Sequence, residues 1–180
     1  MTRSTIELTV RADDRRIAAL AVAAVGLSIV EAAIPLPLPG LKPGLANIVT
    51  LLVLYRLGWR AAVWVTLLRI VASALALGTF LTPTFVMSLG GGLASLLVLA
   101  LLMRLPDAWL GPVGISILAA LAHMTAQLAL VDAWLLPGAS ILALLPFFLA
   151  VAWLTGLGNG LAAALILHRL APVAQAARAT

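Results

Sequence analysis

The feature that most limits what this chain can become is a succession of apolar runs, most of them about twenty residues long, bounded by proline, glycine or arginine. A helix needs about 20 apolar residues, at about 1.5 Å each, to cross the roughly 30 Å hydrocarbon core of a bilayer. The 180 residues are 64% hydrophobic and 9% charged, whereas a soluble domain is about 25% charged. So few charges cannot clothe a globule in water. A soluble domain is excluded, and the length allows six spans with no second domain.

The runs predict an all-α membrane domain over residues 17–170, between a polar tail at 1–16 and a short tail at 171–180. The expected spans are Ile17 to Ile34, Gly44 to Leu57, Ala61 to Phe80, Phe85 to Met103, Val113 to Leu136 and Leu144 to Leu167. The proline-rich stretch Pro35 to Pro43 forbids a continuous helix between the first two. Gly58-Trp59-Arg60 reads as a tight turn, Pro83 as a break before the fourth span, and Pro146 as part of the sixth span's first turn. The N-terminal segment is too long and too acidic for a secretory signal. It reads as a retained cytoplasmic tail that includes an interfacial helix.

The formal charge of +5 does not mark a nucleic-acid binder, because the basic residues are dispersed at helix ends instead of sharing one patch. They mark orientation. With the N-terminus inside, the cytoplasmic segments hold Arg3, Arg11, Arg15, Arg16, Arg56, Arg60, Arg104, Arg169 and Arg178, and the opposite side holds Lys42 alone. The positive-inside rule then sets both termini on the cytoplasmic face of the inner membrane.

Polar residues recur at helical spacing inside the spans. Ala24, Ser28 and Glu31 share one stripe, as do Thr66, Arg69 and Ser73, and Ser116, His123 and Gln127. Asn47 with Thr50, and Thr155 with Asn159, add two more. A charged side chain at mid-bilayer costs at least about 2.5–3.5 kcal/mol, so these stripes are expected to face inward. Counting along the helices puts Arg69, His123 and Asn159 near mid-depth, Glu31 and Gln127 in the outer half, and Asn47 and Lys42 at the outer mouth. The arrangement suits a cavity entered from outside. Glu31, Lys42, Asn47, Arg69, His123, Gln127 and Asn159 are its expected lining, with Arg69 neutralising a small anionic ligand. Its structural alternative is a Glu31–Arg69 ion pair with His123 and Gln127 bridging helices.

Catalysis finds no support. There are no cysteines, no aspartate-rich cluster for magnesium, no carboxylate pair in the spans, and no metal-ligand spacing around His123 or His168. The run Gly156-Leu-Gly-Asn-Gly160 lacks the preceding strand of a nucleotide loop. The chain is therefore expected to be no enzyme and to carry no metal or cofactor. Small residues such as Ser88 and Gly92, Gly91 and Ser95, and Gly156 and Gly160 suit close helix packing. Ala19, Ala23 and the neighbouring Ala24 offer a face for docking a membrane partner.

Pro39-Gly-Leu-Lys-Pro-Gly-Leu-Ala-Asn-Ile-Val-Thr-Leu51, followed by Leu54-Tyr55, Gly58 and Leu67-Leu-Arg69, resembles the Gx transporter family, often labelled heptaprenyl diphosphate synthase component I. The likeness continues through Gly78-Thr-Phe-Leu-Thr-Pro-Thr-Phe85, Ser88-Leu-Gly-Gly-Gly92, Gly114-Ile-Ser116, Ala122-His123, Gln127 and Thr155-Gly156. That family is itself similar to the substrate-capture (S) components of energy-coupling-factor transporters. The resemblance implies six helices with a ligand bound from outside, a capping loop at Pro35 to Pro43, and a first helix that meets a coupling protein working with ATPases. It also leaves open a membrane subunit for polyprenyl diphosphate or quinone metabolism, or a structural subunit of a flavin-linked electron-transfer complex.

Overall fold

The computed structural model describes residues 12–33, 46–104, 110–135, 137 and 141–176. Among these residues six α-helices form in order: α1 Ala12–Ala32, α2 Asn47–Leu57, α3 Trp59–Ala76, α4 Pro83–Leu102, α5 Pro112–Leu130 and α6 Leu145–Ala176. A wider π turn, Val131–Leu135, prolongs α5, and a 3₁₀ turn, Ile141–Leu144, leads into α6. Among the described residues, four segments are long and apolar enough to cross a membrane: α3, α4, Pro112–Leu135 and Leu145–Arg169. The chain is a multi-pass membrane protein.

The boundaries depart from expectation where charge and helix overlap. α1 begins at Ala12 instead of Ile17, because Asp13, Asp14, Arg15 and Arg16 are compatible with helix and acids suit a first turn. α6 runs on to Ala176, well past Leu167. α2 has 11 residues, about 16 Å at the usual rise, half the hydrocarbon thickness. The proposed capping loop Pro35 to Pro43 lies outside the described residues.

The turns are tighter than the sequence suggested. Gly58 alone separates α2 from α3, at φ 85°, so Trp59 and Arg60 form the first turn of α3 instead of a loop. Gly58 N–H donates to the carbonyls of Val53 and Leu54, while its own carbonyl accepts from Ala62 N–H. α3 ends in a Schellman motif: Thr79 N–H donates to Ala74 O at 2.8 Å and Gly78 N–H to Leu75 O at 3.2 Å. That motif needs a left-handed residue after the helix, and Gly78 supplies it at φ 66°. Pro83 occupies the first turn of α4, where its missing N–H has no partner to lose.

α3 packs against α1, α2 and α4; α5 packs against α4 and α6; and α2 closes the ring against α6. Its surface is apolar, with Trp64, Leu75, Leu97, Leu154, Leu161 and Leu165 exposed, whereas Ser28, Glu31, Thr66, Arg69, Ser116, His123, Gln127 and Asn159 are buried. This inversion of the soluble pattern suits lipid outside and polar contacts within. Apolar packing fills the space between, around Ala24, Val53, Ala62, Val65, Leu99 and Ala163. Arg56, Arg60, Arg104 and Arg169 are exposed at the end where α2 meets α3 and α4 terminates.

The α5–α6 contact is set by two glycines in the run that superficially resembled a nucleotide loop. A Cβ at Gly156 would lie 2.8 Å from Ile117 Cα, and one at Gly160 would lie 2.6 Å from Val113 Cα. Backbone atoms cannot yield as a flexible side-chain end can. Gly156→Ala and Gly160→Ala should therefore each destabilise the fold by about 1–3 kcal/mol through overpacking. A Cβ at Gly158 meets nothing within 4 Å, and Gly158→Ala should be neutral or gain up to about 1 kcal/mol of helix propensity. Thermal unfolding in detergent micelles measures all three. Equal losses at the three positions would contradict this packing.

Candidate functional site

One cavity gathers the polar stripes of four helices. Ser28 and Glu31 enter from α1, Arg69, Ile70 and Ser73 from α3, Ser88 from α4, and His123 and Gln127 from α5. Helical periodicity explains the grouping, since residues three or four apart stand on one face. Glu31, Ser73 and Gln127 lie near the C-terminal ends of α1, α3 and α5, and Ser88 near the start of α4. The cavity therefore sits toward one end of the bundle, opposite the exposed arginines. It offers about 20 Å³ to the centre of a water molecule, room for a water or two.

Two opposite charges are buried in its wall. Glu31 is 2% exposed and Arg69 7%, and the two are electrostatically coupled. Burying either alone in a low-dielectric interior would cost several kcal/mol, so each makes the other tolerable. Other polar groups there have no hydrogen-bond partner. They include Ser28 Oγ, Arg69 Nε and both amide atoms of Gln127, although Gln127 is completely buried. Such groups normally find a partner or a water.

His123 reaches the cavity because α4 carries no side chain opposite it. A Cβ at Gly91 would lie 2.7 Å from His123 Cε1 and 2.8 Å from Nε2. Gly91 and Ser88 were visible in the sequence as small residues on α4, but only the α4–α5 contact shows that the first makes space for the ring and the second lines the cavity. Ile70 was hidden by being apolar.

Asn47 falls elsewhere. It lines a second cavity with Thr50, Thr66, Gly92, Ser95, Leu99 and Ser116, instead of the outer mouth expected for it. The reason is the shortness of α2: counting back from Gly58, its first residue starts deep in the bundle. The second cavity is largely self-satisfied. The hydroxyls of Thr50 and Thr66 lie 3.2 Å apart, and Ser95 Oγ donates to Ala119 O at 2.9 Å. A Cβ at Gly92 would lie 2.5 Å from Ile70 Cδ1, so Ile70, which lines the first cavity, sits directly against a wall residue of the second.

The remaining expected residues divide three ways. Asn159 is buried on α6 but borders neither cavity. Lys42 lies outside the described residues. On α1, Ala19 and Ala23 are exposed, whereas Ala24 is fully buried in the apolar core. At 100° per residue Ala24 follows the inward stripe of Ser28 and Glu31, so it cannot share an outer docking face with Ala23. Among the described residues no group of three or more His, Asp or Glu could hold a metal ion.

A family model described as heptaprenyl diphosphate synthase component I matches residues 20–166. No curated protein and no solved structure matches the chain.

The coupling of Glu31 and Arg69 has a measurable consequence. Glu31→Gln or Arg69→Met alone leaves one buried charge uncompensated and should cost about 3–5 kcal/mol. The double variant should cost less than the sum of the two by at least about 1 kcal/mol. Unfolding equilibria of the three variants in mixed micelles check this, and strict additivity would show that the charges do not sustain each other.

Proposed function

The chain belongs to the heptaprenyl diphosphate synthase component I family, and with that membership as premise we propose that it is a substrate-capturing membrane subunit of a small-molecule transporter. The observation that carries the reading is the polar cavity itself. A completely buried Gln127 with both amide atoms unpartnered, beside a buried Glu31–Arg69 pair, is a costly arrangement for packing alone. A bound polar ligand supplies the missing partners.

In this reading six helices span the cytoplasmic membrane with both termini inside, and the cavity opens toward the extracytoplasmic face. The exposed Arg15, Arg16, Arg56, Arg60, Arg104 and Arg169 support that orientation through the positive-inside rule. Ser28, Glu31, Arg69, Ser73, His123 and Gln127 hold the ligand, and Asn47 and Asn159 stabilise neighbouring helices. The sequence carries no nucleotide-binding loop, so the energy for transport comes from partner subunits, a coupling protein and its ATPases. Ala19 and Ala23 on the outer face of α1 suit a close helix contact with such a partner.

A second reading follows from the family's name, which is that of a component of heptaprenyl diphosphate synthase. There the chain is a membrane subunit assisting a prenyl-chain enzyme. Mass spectrometry of small molecules extracted from the purified full chain separates the two. Capture predicts a small polar compound at near-unit stoichiometry, lost in Arg69→Met. An isoprenoid diphosphate or quinone retained by that variant would favour the second reading, and recovery of neither would contradict capture.

A further inference from the structure

The chemistry of the same cavity also limits what enters it, an inference that rests on the capture reading. Arg69 taken alone suggests an anionic ligand. The structure adds Glu31, buried in the same wall and electrostatically coupled to that guanidinium. The cavity wall already carries one basic and one acidic side chain, both buried. A ligand carboxylate or phosphate would compete with Glu31 for Arg69 and meet a like charge in a site of low dielectric, where repulsion is poorly screened. The charge pattern disfavours an anion.

The groups left without partners define what suits the site instead. Gln127 presents one acceptor, Oε1, and one donor group, Nε2, side by side, and neither has a hydrogen-bond partner. The side chain is 0% exposed, and it lines the cavity. Side-chain amides of this kind bind edges that offer a donor and an acceptor in the complementary order, forming two parallel hydrogen bonds, as glutamine does on adenine. Arg69 Nε adds a further N–H donor, and Ser28 Oγ a hydroxyl able to give or accept.

We infer that the part of the ligand entering this cavity is an uncharged amide edge, as in a primary amide, a urea or a lactam, held by Gln127 through paired hydrogen bonds. Its carbonyl accepts from Gln127 Nε2, and its N–H donates to Gln127 Oε1. The Arg69 Nε–H is a second donor available to the same carbonyl. The Glu31–Arg69 pair serves the site by neutralising itself. With room for only a water or two, the cavity takes a head group and not a whole large ligand.

Acetamide and acetate differ in charge and hydrogen-bond pattern but hardly in shape, so they test the inference without knowledge of the natural ligand. The full chain in lipid nanodiscs is titrated with acetamide, acetate and N,N-dimethylacetamide, and binding is read by saturation-transfer NMR. Acetamide should bind at least about tenfold more tightly than either analogue, because acetate lacks the donor and carries the charge while the dimethyl compound lacks the N–H. Gln127→Met, of similar length and without the amide, should abolish that preference. Should that variant fail to fold, the comparison of the three probes on the unsubstituted chain decides alone. Acetate binding as well as acetamide would overturn the amide assignment and leave capture standing. Binding of no probe would overturn the amide assignment, and capture would then stand or fall on the compound extracted from the purified chain.

Discussion

Hydrocarbon offers a polar side chain nothing, so every polar group within the spans must find its partner inside the protein. That constraint organises this bundle more than apolar burial does, since a leucine is as comfortable against lipid as against another helix. Glu31 and Arg69 are the extreme case. Neither tolerates burial alone, and the two line one cavity, Glu31 from α1 and Arg69 from α3. The other stripes follow the same logic at lower cost, with Thr50 facing Thr66 and Ser95 bonding to α5. What distinguishes the first cavity is that its wall is left incomplete. Gln127 is buried as deeply as any described residue, yet its amide has no partner.

Small residues decide where the polar stripes can meet. Gly91 makes room for the His123 ring, and Gly92 accepts Ile70 at the boundary between the two cavities. Gly156 and Gly160 bring α6 within backbone contact of α5, which fixes the face that α5 turns toward the cavity. Site and scaffold are therefore not separable in this molecule. The glycines that pack the helices also set the position of the imidazole and the amide.

Much of this was legible in the sequence, because a lipid-embedded helix writes its inward face as a polar stripe. Ser28 with Glu31, Arg69 with Ser73, and His123 with Gln127 were readable from helical spacing alone, and the structure brings all six to one cavity. The level of Asn47 was not readable. It depends on how short α2 is: the helix starts only at Asn47 and has 11 residues, and packing sets Asn47 beside Thr66 and Ser116. The start of α1 was equally hidden, since Asp13 to Arg16 look like a tail but sit in the helix. Ala24 belonged to two candidate faces in the sequence. Only packing shows that it follows Glu31 inward and leaves Ala23 outside.

On the capture reading, the cavity around Gln127 is a ligand site reached from outside the cell. Because the natural sequence contains no cysteine, one introduced thiol reports one position. Ser88→Cys places that thiol in the cavity wall, and Leu97→Cys places one on the lipid-facing surface as a control. The decisive measurement is the rate at which a membrane-impermeant methanethiosulfonate modifies each thiol in right-side-out and inverted vesicles. The account predicts modification of Ser88→Cys from the extracytoplasmic side alone and none of Leu97→Cys from either side. A Ser88→Cys thiol inert in right-side-out vesicles, or reactive only in inverted ones, would contradict it.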